Sequence, residues 1–249
     1  MRITYLGHAS VVIELGGVKA LTDPLLRRWV LHLRRVAPAA TPEQLADTDV
    51  VLVSHAHHDH LDTRSLRMVG GEPRVLCPEP ARRAVAAAGL RPEVMGVGGH
   101  AKVGAVAVEA VRADHDGRRY PHDRRRDAIG YVLRGSSGTV YFAGDTGWFE
   151  GIAAVGEVDV ALLPVAGWGP RLGPGHLDPV EAARAAALIG PRFAIPIHWG
   201  TYERVGMTTA GLRAAPARRF RDQLAELAPD VDAVVLDPGA TLDVASSSA

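Results

Sequence analysis

Residues 49–60 read Asp-Val-Val-Leu-Val-Ser-His-Ala-His-His-Asp-His, an apolar run that passes without a break into four histidines and an aspartate. Consecutive apolar positions of this kind form strands buried on both faces, so His55 stands where a strand leaves its sheet. In a chain of 249 residues with 11 histidines and 17 aspartates, His-x-His-x-Asp-His arises by chance only about 0.0015 times. In an extended segment His55 and His57 project to one side and His58 to the other, while Asp59 and His60 fall where the chain turns. That suggests two adjacent metal sites, one using His55 and His57, the other Asp59 and His60. Each needs further ligands, and a hydrolytic site also needs an open position for water. Collecting so many imidazoles and carboxylates at a strand end without a counter-ion would be costly.

On the N-terminal side, residues 2–6, Ser10–Leu15 and Val18–Thr22 alternate as strands with Gly16-Gly17 as a hairpin turn, which predicts an antiparallel opening. Residues 24–48 differ. Leu26, Trp29, Val30, Leu33 and Val36 recur at helical spacing among arginines until Pro38 and Pro42, the pattern of a helical lid or insertion. On the C-terminal side the pattern predicts a helix over 78–88 closed by Gly89, then strands near Val106–Arg112, 128–134, 139–143 and 158–164. Asp178 as N-cap, Pro179 at the first helical position, Glu181 for a capping box and Gly190 beyond the end predict a helix over Pro179–Ile189. The strand Phe193–Ile197 then delivers His198. An amphipathic helix over 217–227, strands at 233–237 and 241–244, and a frayed tail at 246–249 complete the reading.

The composition, 47% hydrophobic and 22% charged, supports a sizeable core and excludes disordered, collagen-like and coiled-coil classes. Basic and acidic side chains number 28 each, and a net charge of zero argues against a protein built to grip nucleic acid. No apolar stretch approaches the 18 or so residues of an integral membrane segment, and residues 1–7 lack the features of an export signal, so a cytoplasmic location is expected. Cys77 is the one cysteine, which rules out an internal disulfide or thiolate zinc site.

Three more candidate ligands follow apolar strands: His115 in Ala-Asp-His-Asp-Gly, Asp145 in Phe-Ala-Gly-Asp-Thr-Gly, and His198 in Ile-Pro-Ile-His-Trp-Gly-Thr-Tyr. With Leu-Thr-Asp23-Pro and the histidine cluster, their order along nearly the whole chain resembles the metallo-β-lactamase superfamily. Leu6-Gly7-His8-Ala9-Ser10, Gly175-His176-Leu177-Asp178-Pro179 and residues 196–202 resemble the branch containing ascorbate-6-phosphate lactonase and N-acylphosphatidylethanolamine phospholipase D. The resemblance implies an α/β fold, a four-layer αββα sandwich of two mixed sheets with helices on the outer faces, as one hydrolase domain over 1–249. It also implies that His55, His57 and His115 bind one metal, that Asp59, His60 and His198 bind another, and that Asp145 bridges them. Asp23 would then hold a ligand imidazole's free N–H. His8 and His176 match motif positions near the pocket, where His176 would position substrate or a leaving group.

The expected function is hydrolysis of a phosphodiester, phospholipase D-like, or a similar ester by a hydroxide bridging two divalent ions, most readily zinc, with manganese as the alternative. A lactonase of the ascorbate-6-phosphate lactonase type and a non-catalytic metal-binding protein are the rival readings. The substrate would be a small molecule or lipid-like; the oligomeric state is open, with a homo-oligomer allowed. His32, His58, His100 and His122 are expected to lie outside the ligand set, with His100 or His122 as the alternatives to His115. The arginines of 118–126 read either as a phosphate-binding patch or as solvated loop, and residues 25–36 as a membrane-surface or subunit contact or as a core-covering helix.

Overall fold

Residues 1–123, 126–166, 172–206 and 212–245 are described by the computed structural model. The alternating N-terminal segments pair antiparallel as Arg2–Gly7, Ser10–Leu15 and Val18–Thr22. Gly16 and Gly17 turn the hairpin at φ 55° and 77°, where a Cβ would be strained. Beyond Val18–Thr22 the sheet becomes parallel through Val50–Leu52, Arg74–Cys77 and Pro92–Val94, and Thr241–Asp243 forms its other edge. The second sheet runs Asp232–Ala233, Phe193–Ile197, Val160–Pro164, Gly138–Phe142, Ile129–Gly135, Val106–Arg112, His100–Val103, parallel over its first four strands and antiparallel thereafter.

Period-two alternation decides which side each residue serves. Ile3, Tyr5, Val11 and Ile13 join Tyr131, Leu133 and Val140 of the second sheet in one buried cluster. Leu6, Val12, Val51 and Val75 face the other way and pack with Leu45, Leu66 and Val85 from the short helices Pro42–Leu45, Thr63–Leu66 and Arg82–Ala87. Helices Pro179–Ile189 and Ala215–Leu227 cover the second sheet with Ala182, Ala186, Phe220 and Leu224. Burying Phe220 and Leu224 stabilises the chain by about 1.5–3 kcal/mol each. These four layers are the αββα sandwich of the metallo-β-lactamase fold.

The helix Pro179–Ile189 has the predicted punctuation: Asp178 accepts from the amides of Val180 and Glu181, Glu181 reaches back to the Asp178 amide, and Gly190 ends it in the left-handed region. Asp178→Ala is expected to lower unfolding free energy by about 1 kcal/mol in a urea titration with unchanged slope. The predicted helix over 78–88 is a 3-10 turn, Glu79–Ala81, leading into Arg82–Ala87, and Gly89 follows at φ 87°.

Residues 24–48 overturn the predicted helical insertion. Trp29–Val30 and Leu33–Arg35 form a hairpin, Tyr202–Arg204 adds a third strand, and the only helix in the segment is the single turn Pro42–Leu45. Strand alternation fits the burial better: Leu33 and Arg35 are buried and Arg34 is exposed. Arg35 turns inward to donate to the carbonyls of Leu6, Leu25 and Pro38, acceptors that no exposed helical face would offer. The strand expected over 233–237 is confined to Asp232–Ala233. Strands Arg74–Cys77, Pro92–Val94, His100–Val103 and Tyr202–Arg204 went unpredicted, and the tail at 246–249 lies outside the described residues. No helix among the described residues is long and apolar enough to cross a membrane.

Candidate metal centre

The candidate ligands cluster at the ends where strands of both sheets run out. Val18–Thr22 leads to Asp23, Val50–Leu52 to His55, Val106–Arg112 to His115, Gly138–Phe142 to Asp145, and Phe193–Ile197 to His198. In open α/β sheets ligands collect outside the carboxyl ends of strands, because the chain there is free to turn side chains toward a common point. Among the described residues five non-glycines have positive φ, and three of them, His8 (56°), Asp23 (31°) and His198 (65°), belong to this cluster. Such conformations are unfavourable for residues with a Cβ and persist where the surroundings impose them.

Hydrogen bonds on the outer ring atoms fix which nitrogen of each imidazole faces inward. Asp23 accepts from the Ser54 amide at 2.7 Å, from the Ser54 hydroxyl, and from His60 Nδ1 at 2.7 Å, leaving His60 Nε2 as the inward atom. Ser54 Oγ, having given its proton to Asp23, accepts from His55 Nδ1 at 2.9 Å. His115 Nδ1 donates to the Gly175 carbonyl at 2.7 Å. His55 Nε2 and His115 Nε2 are thereby left as lone-pair atoms, an assignment made from the bonding pattern. Both point at His57 Nδ1, at 2.9 and 3.1 Å.

These three nitrogens form one possible ligand group, and His8, Asp59, His60 and His198 form a second. In the second group His60 Nε2 lies 3.2 Å from His198 Nε2, and His8 Nε2 lies 3.2 Å from Asp59 Oδ2. Asp145 stands beside the second group, with Oδ2 3.2 Å from His60 Nε2 and Oδ1 3.5 Å from His198 Nε2; on its other side Oδ2 is 3.4 Å from His176 Nε2. It also belongs to a group with His115 and His176. Asp145 is 2% exposed, and its Oδ1 has no hydrogen-bond partner among the described residues.

The residues fit a divalent cation. His57 Nδ1 faces two bare nitrogens, at 2.9 and 3.1 Å, and can offer them one proton at most. Tetrahedral ligation at about 2.0–2.1 Å places neighbouring ligand atoms roughly 3.3 Å apart, close to the separations seen. Burial drives His55 well below the ordinary histidine range, His57 down to about 4 and His198 down to about 3. Burial opposes charge on His60 too, but Asp145 and Asp59 outweigh it and raise that imidazole. Burial likewise opposes charge on Asp145, yet His198 and His60 hold it well below the carboxylate range. Burial pushes Asp23 upward, yet it accepts from three donors, a role that suits the ionised carboxylate.

All seven predicted ligands and the three flanking residues His8, Asp23 and His176 come together here. His58 is half-buried against the Tyr120 ring, His122 stacks on the same ring, and His32 and His100 are exposed. The guanidinium forks considered for phosphate point elsewhere. Arg118 binds Asp116 and the Pro121 carbonyl, Arg126 approaches Asp116 at 3.8 Å, and Arg119 donates to backbone carbonyls, while Arg124 and Arg125 lie outside the described residues. Sequence reasoning missed Ser54, whose only signal is its place directly before His55. It also missed Thr201, whose hydroxyl takes the His8 amide proton at 2.6 Å.

A beta-lactamase superfamily domain model matches residues 19–199. A UPF0173 metal-dependent hydrolase of Methanopyrus kandleri is 35% identical over 246 residues, spanning 96% of this chain and 98% of that protein. Among solved structures, the metallo hydrolase Igni18 of Ignicoccus hospitalis aligns with a TM-score of 0.72 at 24% identity, covering 97% of each chain. An isothiocyanate hydrolase from Delia radicum gut bacteria aligns with a TM-score of 0.76 at 20% identity, covering 99% of this chain and 100% of that one. At those identities the two structures speak for the shared fold alone.

Proposed function

Because this chain belongs to the UPF0173 metal-dependent hydrolases of the metallo-β-lactamase superfamily, we propose that it cleaves an ester bond with two divalent ions, most readily zinc, with manganese as the alternative. In this reading His55, His57 and His115 would hold one ion, Asp59, His60 and His198 would hold the other, and Asp145 would serve both. The observation that carries it is that His55 Nε2 and His115 Nε2 both approach His57 Nδ1, at 2.9 and 3.1 Å, while in the neighbouring group the buried Asp145 Oδ1 has no hydrogen bond among the described residues. When bound, such ions supply Lewis acidity and draw the pKa of water from 15.7 toward about 7.

The chain's own groups do the rest. Asp23 and the Gly175 carbonyl lock the His60 and His115 rings so that Nε2 faces inward. His8 holds Asp59 through Nε2. His176 sits at the mouth with its side chain 24% exposed. Burial opposes charge on its ring, but the Asp145 carboxylate, 3.4 Å from Nε2, more than reverses that and raises its pKa, which suits a proton donor. His176→Ala is expected to retain its metal and to lose about 10²-fold or more in kcat, the usual range for a positioned proton donor. Equal loss of metal and rate would instead make His176 a ligand.

Phosphodiester hydrolysis rests on the motif resemblance, and a lipid-like substrate would follow from it. A lactonase of the ascorbate-6-phosphate lactonase type is the rival reading; Arg27 is held by Asp62, Arg35 by carbonyls and Arg118 by Asp116, so neither reading rests on these three guanidiniums. The deciding experiment assays metal-free and zinc- or manganese-loaded protein against bis-p-nitrophenyl phosphate and a panel of sugar lactones. Metal-dependent turnover of only the first selects the phosphodiesterase, and of only the second the lactonase. Metal bound with neither substrate turned over selects the non-catalytic reading.

A further inference from the structure

His57 serves one ligand group while Asp59 and His60 serve the other, so the peptide from 57 to 60 sets how far apart the two groups stand. Inside the run the amides of His60 and Leu61 both donate to the His57 carbonyl, at 3.1 and 2.8 Å, folding it into a tight turn. Its two flanking residues, Ala56 and Leu61, are fully buried. Arg119 Nη1 donates to both of their carbonyls, at 3.0 Å to Ala56 and 2.9 Å to Leu61. One nitrogen therefore closes the turn from outside, end to end.

The same short segment grips the run at two further points. Ala56 donates its amide to the Gly117 carbonyl at 3.1 Å, and His115 Nε2 meets His57 Nδ1 at 3.1 Å. The approach is close enough that a Cβ on Gly117 would fall 2.4 Å from the Asp127 carbonyl oxygen and 3.0 Å from His55 Cβ. A planar guanidinium offers two N–H bonds diverging from one nitrogen at a fixed angle, which suits two carbonyls on opposite limbs of a turn; an ammonium has no such fixed fork.

We propose that Arg119 is a positioning residue that sets the span of the 57–60 turn, and with it the separation of the two ligand groups. The inference rests on the two-ion reading. The arginine thus touches neither substrate nor ion and acts through the backbone that carries His57, Asp59 and His60. Its loss should affect the paired arrangement more than either group alone, since each keeps its other ligands on separate strands.

The test titrates metal-free protein with Co(II), following the visible d–d bands and competition with a chelator, for the native chain, Arg119→Ala and Arg119→Lys. The native chain should take up two equivalents. Arg119→Ala should keep near-native affinity for the first and lose about tenfold or more for the second, with altered bands, the scale on which groups that orient ligands act. Arg119→Lys should fall between them, and serves as the comparison should the alanine variant fail to fold. Native affinities and native bands for both equivalents in the variants would overturn the role of Arg119. Uptake of one equivalent or none by the native chain would instead overturn the two-ion reading.

Discussion

Asp145→Ala is expected to abolish hydrolysis and to leave purified protein with at most one ion per chain. The carboxylate stands between His60, His198 and His176 with both oxygens directed at imidazoles, and it is almost fully buried. Alanine removes a negative charge that, together with Asp59, outweighs burial and raises the pKa of the His60 imidazole. On the two-ion reading, Asp59 would be left as the one carboxylate in the proposed ligand set and would not offset two divalent charges in a buried pocket, where unpaired charge is costly. Activity should therefore fall by several orders of magnitude, measured alongside metal content by elemental analysis. Near-native metal content with lost activity would sink the bridging role and leave Asp145 acting only on substrate.

Asp23→Ala should produce the largest loss of stability. Its carboxylate takes bonds from the Ser54 amide, the Ser54 hydroxyl and His60 Nδ1, all buried, and alanine can replace none of them. Breaking a buried charged pair by removing one partner costs about 3–5 kcal/mol. In a chain of this length that corresponds to a fall of roughly 10 °C in melting temperature, readable by calorimetry. The freed His60 ring would also turn, and metal affinity should drop by about 10–100-fold. Asp23→Asn separates the effects: it keeps the shape, yet its amide N–H₂ must face one of three donors. A variant that melts like the native chain would show that Asp23 is not the keystone of this corner.

The strands that position the site could be read from the sequence because each is a short apolar run ending in a chemically distinctive residue. Val50–Leu52 before His55 and Phe193–Ile197 before His198 are such cases. The helix Pro179–Ile189 was legible because its caps are local hydrogen bonds, fixed by residues within a few positions. The hairpin of Trp29–Val30 and Leu33–Arg35 was not, since its third strand, Tyr202–Arg204, lies far along the chain and no local window can see that pairing. Leu26, Trp29, Val30 and Leu33 happened to match a helical period, and no N-cap contradicted it. Pro92–Val94, three residues of which one is proline and one glutamate, carries too little apolar pattern to be told from loop. The ligand types stood out by clustering, whereas Ser54 and Arg119 work through bonds to backbone or neighbouring atoms that composition does not mark.

The left-handed backbone at His8, Asp23 and His198 has a consequence for how this chain tolerates change. At His8 and His198 glycine or asparagine would relax the main chain, so replacements that ease the backbone there also strip the pocket of its chemistry, whereas at Asp23 the three buried bonds outweigh any such relief. A laboratory screen rewarding heat resistance alone would erode the reactive corner first, while one rewarding turnover would preserve these three awkward conformations and seek its gains elsewhere in the sandwich.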